Sequence, residues 1–471
     1  MNWGIGNRGV GLAVGLMLSA VPGGVGPGTA FGQSAAGEWL PRFAGLGADK
    51  IVSALTVADL GDGPSLYAGG GFLVAGGAMV NMVARLEGNQ WVALGEGIDL
   101  SQGMVWSLTE YDDGSGPALY VAGDFTGAAG KVVNHIAKWD GQEWWPLGEG
   151  MNGTIRGALA VYDDGNGPAL YAGGDFWIAG GQPANHIAKW DGNEWHALGE
   201  GVDGIAHSVR ALVVHDDGTG PALFVGGNFS TAGGQPAVGI AKWDGQQWHG
   251  VGGGVWHEKL SSRLVRGLVV YDDGSGPVLI ATGQFSSAGG VPASGIAQWD
   301  GQSWSALGDG LAFDPPIGMT GRRLAVVQAG ARSLLYAGGR FTVADGLEVN
   351  YLAQWDGTSW AALSTGMDEE VFSLTAFDEG DGPALFAGGN FSTAGGVASP
   401  RFAKWRPDFP DFDSDDDGDV DLIDLEQFVT CRSGPASPAT PECRAVHDHN
   451  YDQRVDLADF QFLQAAFTGA R

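Results

Sequence analysis

The sequence predicts an all-β protein built as a seven-bladed β-propeller, and two observations support this. A unit of about fifty residues recurs seven times, and each copy contains four short strand signals. A repeat of this length with four strands per period is typical of propeller blades. The recurring anchor tryptophans are Trp39, Trp91, Trp144, Trp195, Trp248, Trp304 and Trp360.

Each copy begins with an apolar strand such as VRALVVH at residues 209–215. A DDGxGP turn leads to a second strand, ALYAGG or a variant, and a glycine-rich connector leads to a third, IAKW. The third joins the fourth through WDGxxW, where Asp-Gly favours a hairpin. We expect the DDGxGP aspartates to bond their own backbone in a tight turn. A calcium loop is the alternative, because calcium prefers clustered oxygen ligands.

The phase of the repeat indicates how the array closes. The last IAKW-type strand, residues 402–405, is followed by Arg406 and Pro407 instead of a fourth strand. The missing strand is found at the other end of the chain, over residues 39–43. We therefore expect the N-terminal strand to complete the seventh blade, which removes an open sheet edge. The alternative, an open solenoid, requires polar capping repeats that the outer copies do not provide.

The repeat also resembles a known family. Gly173-Gly174 at a strand end, Trp190-Asp191 in a turn and the following Trp195 are similar to the Kelch repeat. The resemblance covers residues 39–406, although this chain has Trp where Kelch repeats usually have Tyr, and the DDGxGP turn is additional. It implies a propeller fold and no particular ligand.

Composition and the N-terminus together predict an exported protein. The chain has 24 basic against 54 acidic residues, a net charge of -30, which excludes binding through a basic patch to nucleic acid. Residues 1–32 are typical of a signal peptide, with Arg8, an apolar run at 10–21 and small residues before Gln33. The alternative interpretation is that residues 1–32 remain on the protein as an uncleaved membrane anchor. No other stretch is apolar enough to span a membrane.

One polar column in the repeat is a candidate ligand rim. The position before the recurring Phe varies among polar residues while its neighbours stay nearly constant, which predicts a polar rim on one face of the ring. Ordinary variation in a surface turn is the alternative. The column contains Gly71, Asp124, Asp175, Asn228, Gln284, Arg340 and Asn390.

The sequence leaves open whether the protein is an enzyme. No nucleophile elbow, phosphate loop or zincin motif is present in it. A glycosidase requires two carboxylates about 5–10 Å apart. Asp124 and Asp175 are the only pair that we nominate, as weak catalytic candidates, because they occupy adjacent repeats.

The C-terminal segment, residues 407–471, carries two twelve-residue loops rich in oxygen ligands. Gly418 holds the sixth position of the first loop, where a calcium loop turns sharply, whereas Gln453 replaces this glycine in the second. The seventh ligand in each is a backbone carbonyl, from Asp419 or Arg454. The remaining ligands are Asp413, Asp415, Asp417, Asp421 and Asp424 in the first loop and Asp448, Asn450, Asp452, Asp456 and Asp459 in the second.

This tandem of loops, each followed by an amphipathic helix, resembles a type I dockerin over residues 411–469. Similar modules end many exported proteins of planctomycete-like bacteria. The resemblance implies calcium as cofactor and docking to a cohesin-like partner or a cell-surface anchor. An insert between the halves carries Cys431 and Cys443, which we expect to pair, since two nearby cysteines in an exported protein usually do. Two free thiols are the alternative.

Together these features predict three segments, a signal peptide at 1–32, a propeller at 33–406 and a dockerin-like domain at 407–471. The expected function is that of an exported, cell-surface or extracellular binding protein, whose propeller recognises a carbohydrate or protein ligand and whose tail docks it. A polysaccharide-active enzyme of hydrolase or lyase type, attached through the dockerin, is the alternative. A purely structural surface-layer component is a third reading.

Overall fold

The computed structural model describes residues 34–99, 103–204, 208–258, 264–312, 321–329 and 332–408. These belong to one compact unit that begins at Gly32. They form β-strands and one 3-10 helix, with no α-helix in these ranges, so the predicted all-β class is confirmed for this part of the chain. The predicted signal peptide, both calcium loops and both cysteines lie outside the described residues.

The strands of the described residues include seven four-stranded antiparallel sheets; in six of them each strand pairs with the next one along the repeat, and in the seventh the last strand comes from the N-terminal segment. In chain order of their first strands, sheets 1 to 7 are Val52–Ala58, Ser65–Gly70, Val83–Glu87 and Gln90–Ala93; Val105–Asp112, Pro117–Gly123, Ile136–Trp139 and Trp144–Pro146; Ala158–Asp163, Pro168–Gly173, Ile187–Trp190 and Trp195–Ala197; Ser208–Asp216, Pro221–Asn228, Ile240–Trp243 and Trp248–Gly250; Leu264–Tyr271, Val278–Gln284, Ile296–Trp299 and Trp304–Ala306; Gly321–Ala329, Arg332–Gly339, Leu352–Trp355 and Trp360–Ala362; and Val371–Asp378, Pro383–Gly389, Phe402–Pro407 and Gly37–Trp39.

Two-residue strands pair in the glycine-rich connectors between the second and third strands. They are Val74–Ala75 with Ala78–Met79, Gly127–Ala128 with Lys131–Val132, Ile178–Ala179 with Gln182–Pro183, Thr231–Ala232 with Gln235–Pro236, Ser287–Ala288 with Val291–Pro292, Val343–Ala344 with Leu347–Glu348, and Thr393–Ala394 with Val397–Ala398. Three of these pairs gain a third strand from the preceding connection, at Val202–Asp203, Val255–Trp256 and Leu311–Ala312.

Adjacent sheets pack face to face, and sheet 7 packs against sheet 1. A Cβ atom on Gly173 of sheet 3 would lie 2.3 Å from Cγ1 of Val209 in sheet 4. A Cβ atom on Gly388 of sheet 7 would likewise lie 2.6 Å from Cγ1 of Val52 in sheet 1. The first strand of every sheet contacts the first strand of the next, and that of sheet 7 contacts that of sheet 1. Glycine at this position therefore lets neighbouring sheets approach closely.

The indole of each anchor tryptophan ties its sheet to the preceding one through a buried hydrogen bond to a backbone carbonyl. The acceptors are Leu46 for Trp91, Leu94 for Trp144, Leu147 for Trp195, Leu198 for Trp248, Val251 for Trp304, Leu307 for Trp360 and Leu363 for Trp39. Trp39 and Leu46 of the N-terminal segment thus occupy the places that a fourth strand of sheet 7 would supply. The segment joins sheet 7 to both of its neighbours.

The N-terminal strand pairs where the repeat phase requires it, but its bounds differ from the expected ones. Gly37–Trp39 pairs antiparallel with Phe402–Pro407, placing Trp39 opposite Trp405. Pro41–Leu46 is a 3-10 helix, so the prediction of a strand over residues 39–43 was wrong beyond Trp39. Proline has no N–H for a strand ladder, and its fixed φ suits the first turn of a helix.

Candidate functional site

Six of the seven first strands carry a β-bulge at one equivalent position. A bulge leaves one residue outside the ladder and redirects its side chain. In sheet 3 the equivalent residue, Arg156, comes just before the strand that begins at Ala158. We call this set the bulge column; in sheet order it is Ser53, Trp106, Arg156, Arg210, Arg266, Arg322 and Phe372.

The bulge column converges on one cavity of about 190 Å³, which all seven of its residues line together with Leu264 and Arg323. Residues from seven sheets meet there because the first strands of successive sheets contact one another. Ser53 is buried and donates its hydroxyl to the carbonyl of Val105 at 2.5 Å, so its Oγ ties sheet 1 to sheet 2. The four arginines come from consecutive sheets, 3 to 6.

Two carboxylates pair with three of these guanidinium groups. Nε of Arg156 lies 3.1 Å from one oxygen of Asp175, and Nη2 of Arg210 lies 3.1 Å from the other. Nε and Nη2 of Arg322 both lie 2.8 Å from Oε1 of Glu370. The guanidinium of Arg266 makes no hydrogen bond or ion pair with any residue that the structure describes.

A fifth arginine lies under the bulge column. The position after the bulge is small in the other sheets and is Arg323 in sheet 6. Nη1 of Arg323 donates to the carbonyl of Arg266 at 2.9 Å. A Cβ on Gly157, which has φ +82°, would lie 1.9 Å from Nη2, so this guanidinium reaches from sheet 6 to sheet 3. The small residues at the equivalent position are Ala54, Ser107, Ala158, Ala211, Gly267 and Ser373.

Two aromatic rings, one from sheet 7 and one from sheet 2 on either side of sheet 1, form the apolar part of the cavity. The rings of Trp106 and Phe372 are 6.5 Å apart with an interplanar angle of 32°. The guanidinium of Arg322 lies 4.2 Å from the Phe372 ring centroid, and that of Arg156 lies 5.8 Å from Trp106. Such contacts hold a cation against a ring face. Nε1 of Trp106 is buried and has no hydrogen-bond partner among the described residues.

The cavity is electropositive in a strongly acidic chain. Five arginines line it, and two carboxylates, Asp175 and Glu370, pair with three of them, whereas the whole chain has a net charge of -30. Burial, followed by the charges of Arg322 and Arg210, lowers the pKa of Arg266 to about 10, and the same causes lower the pKa of Arg323 to about 10. Both remain protonated at neutral pH, so the cavity holds crowded cations.

The predicted ligand rim lies one strand away from the cavity lining. Of its members, Asp175 reaches the bulge column, as the counter-ion of Arg156 and Arg210. Oδ1 of Asp124 accepts a hydrogen bond from Thr154 at 3.2 Å. Asn228 and Gln284 are the last residues of second strands, and Arg340 and Asn390 follow directly after them.

Sequence reasoning missed the bulge column, although a signal for it exists. In most copies the column residue follows a Val or Ile at the start of the first strand, as in Val209-Arg210 and Val265-Arg266. The alternation of a strand gives no reason to place such a residue in a cavity, since a bulge is a departure from alternation. A column of four arginines in a chain with few basic residues is the observation that would have identified it.

The DDGxGP carboxylates are engaged within their own turns. Oδ1 of Asp163 accepts the N–H groups of Gly165 and Gly167 at 2.8 and 2.9 Å. The same pair of bonds recurs at Asp59, Asp112, Asp216, Asp272 and Asp378. The second aspartate pairs with the lysine of IAKW, as in Lys189 to Asp164 at 2.6 Å. These contacts support the turn interpretation over the calcium loop.

One exposed group of potential metal ligands lies in the hairpin of sheet 3, where oxygen and nitrogen atoms of Asp191, Glu194 and His196 lie within 4.8 Å of one another. Oδ2 of Asp191 accepts from His196 at 2.8 Å. In sheet 2 the equivalent aspartate, Asp140, receives the indole N–H of Trp145 at 2.7 Å. The interaction therefore fastens the WDGxxW hairpin whether or not the donor is an imidazole.

No protein-family model matches the chain, and no curated protein matches it. Among solved structures, it is similar to the extracellular domain of a protein named as a one-component system from B. thetaiotaomicron, with a TM-score of 0.45 and 10% identity. The alignment covers 81% of this chain and 40% of that chain, so this chain matches about two fifths of the length of that structure. In the described residues, no helix is long and apolar enough to cross a membrane.

Proposed function

We propose that this is an exported binding protein without catalytic activity, whose seven sheets are the blades of a closed β-propeller. The observation that carries the proposal is the bulge column, one residue from each of seven sheets lining a single cavity. Propeller folds place the inner strand of every blade along a central channel. Ligands bind in concave sites lined by apolar side chains and a few convergent polar groups.

Ring closure is supported by contacts at the junction of sheets 7 and 1. Gly388 lies against Val52, Trp39 donates to Leu363, and Trp91 donates to Leu46. The same three kinds of contact link sheets elsewhere in the array. The junction between the two ends of the chain is therefore built like an internal one.

Attachment through the tail rests on the sequence alone. The ligand spacing from Asp413 to Asp424 predicts one calcium site, and the dockerin-like tandem indicates docking to a cohesin-like or cell-surface partner. The signal-like residues 1–32 support export, which is also the setting in which Cys431 and Cys443 would pair.

Binding is tested with the full mature chain on an array of oligosaccharides and peptides. We expect saturable binding that Trp106→Ala abolishes, because this ring forms a wall of the cavity. Trp145→Ala is the matched control, since Trp145 is a half-exposed tryptophan of the same sheet with no part in the cavity. Equal loss in both variants, or no binding to any probe, contradicts the proposal.

The enzyme alternative is addressed with the same probes. Asp175 has one oxygen engaged by each of two arginines, an arrangement suited to positioning guanidinium groups. We therefore expect no sugar release from polysaccharides. Release that disappears in Asp124→Asn would establish the polysaccharide-active alternative instead.

A further inference from the structure

Within the cavity, Arg266 differs from its neighbours in its lack of a partner. Arg156 and Arg210 share Asp175, and Arg322 is held by Glu370. Arg266 carries the same charge between Arg210 and Arg322 in sheet order and is paired with no described carboxylate. A partly buried, unpaired cation among other cations is unfavourable for the fold by itself. Such a group is expected where a ligand supplies the missing charge.

Arg323 closes the cavity on the side beneath the bulge column. Its guanidinium bonds the carbonyl of Arg266 and reaches Gly157 on the far side. A ligand therefore enters from the side of the bulge column and stops at Arg323. At about 190 Å³, the cavity is smaller than the roughly 300–1,000 Å³ of pockets for drug-sized molecules. It suits a small molecule, or the end of a longer one, and not the middle of a chain.

The chemistry of the lining separates an organic acid from a bare inorganic anion. Guanidinium groups present two parallel N–H donors that match a carboxylate. Next to them, the rings of Trp106 and Phe372 provide an apolar wall. An inorganic anion would leave this wall without contacts. An organic group attached to the carboxylate would cover the wall.

We propose that the cavity binds a small organic carboxylate end-on, with Arg266 as its principal ligand, Arg323 beneath it, and Trp106 and Phe372 against its organic part. This inference rests on the proposed binding function and specifies the class of ligand. The charge balance explains why Asp175 and Glu370 are present. They fix three guanidinium groups in place and leave a surplus of positive charge for the ligand.

The test is calorimetric titration of the full mature chain with a panel of mono-, di- and sugar carboxylates that includes succinate and glucuronate. Glucose is the neutral counterpart of glucuronate, and inorganic phosphate and sulfate are titrated separately. We expect at least one carboxylate to bind, with affinity that falls as salt rises. Arg266→Gln should weaken it roughly tenfold to hundredfold, the range for a lost charged hydrogen bond, and Arg266→Lys should recover part of the loss.

Thermal unfolding without ligand distinguishes a binding role for Arg266 from a structural one. Arg266→Gln should keep or raise the melting temperature, because it removes repulsion with Arg210 and Arg322. Arg85→Gln is the matched control, a partly buried arginine of sheet 1 that lies 3.6 Å from both Asp62 and Glu87, and it should leave carboxylate binding unchanged.

Three outcomes would overturn the carboxylate inference. They are the absence of binding by every carboxylate, equally tight binding of phosphate or sulfate, and a lowered melting temperature with unchanged carboxylate affinity in Arg266→Gln. If carboxylates do not bind but neutral oligosaccharides do, and Trp106→Ala abolishes that binding, the proposed function stands and the carboxylate inference fails. Absence of binding to every probe would remove both.

Discussion

Replacing Trp39 with alanine tests whether the N-terminal segment completes sheet 7. Trp39 lies only a few residues into the described chain, yet it is 9% exposed, packs 5.2 Å from the ring of Trp405 and donates to Leu363. Trp195, in the middle of the chain, is 5% exposed, lies 5.3 Å from Trp190 and donates to Leu147. The two sites are nearly equivalent, so Trp195→Ala is the matched comparison.

The expected loss follows from burial. Truncating a buried Trp to Ala costs about 3–5 kcal/mol, a range that includes the lost packing and the cavity left behind. The Leu363 carbonyl still accepts from Gly366 at 3.0 Å, so no buried acceptor is left unpaired. With an unfolding entropy of about 2.1 cal/mol/K per residue over roughly 375 residues, a loss of about 4 kcal/mol lowers the melting temperature by roughly 5 °C.

The assay is thermal and urea unfolding of the mature chain, followed by tryptophan fluorescence and circular dichroism. We expect Trp39→Ala and Trp195→Ala to lower the melting temperature by similar amounts, and deletion of residues 33–45 to lower it more. An unchanged melting temperature in Trp39→Ala, beside a clear loss in Trp195→Ala, would refute closure by the N-terminal strand.

Three further predictions concern acid stability, the cavity and the tail. Burial raises the pKa of Asp113, but hydrogen bonds from Lys138, Ser115 and Tyr120 outweigh it and hold the pKa at about 2, below 3.8. The stability that ionised Asp113 contributes is therefore present above pH 3.8 and lost as pH falls towards 2. Asp113→Asn should make the urea midpoint of unfolding depend less on pH over that interval. Arg323→Ala should open the cavity downward and raise the binding of larger acids relative to small ones by calorimetry; an unchanged preference would contradict a blocking role. Asp413→Ala should abolish the tight calcium site in calorimetry of the full chain, and a wild-type chain that binds no calcium would exclude the dockerin interpretation.

Much of the architecture could be predicted from local chemistry. Asp-Gly hairpins, β-branched runs and the alternation of apolar and polar residues are properties of neighbouring residues, so seven repeated groups of four strands could be predicted from the sequence. The displaced fourth strand was readable too, because the count of each strand type leaves one fourth strand at the N-terminus. The bounds of this strand were not predictable, since the 3-10 helix at Pro41–Leu46 has no counterpart in the described residues of the other copies.

The candidate site was less predictable. The polar column from Asp124 to Asn390 was found because its neighbours hardly vary, and one of its members, Asp175, reaches the cavity through ion pairs with Arg156 and Arg210. The bulge column was missed because a bulge is set by how a strand pairs with its partner, and not by the strand alone. Arg323 was missed because its role depends on Gly157, a residue three sheets away.

The sequence by itself determined the strand types, the turns, the repeat phase and the spacing of calcium ligands in the tail, because each depends on residues close together in the chain. Only the tertiary structure decided which side chains meet. Sheets far apart in sequence bring Arg156, Arg210, Arg266, Arg322 and Arg323 into one cavity. It also decided which of them have counter-ions. Pairing depends on distances between sheets, and no local pattern encodes those distances.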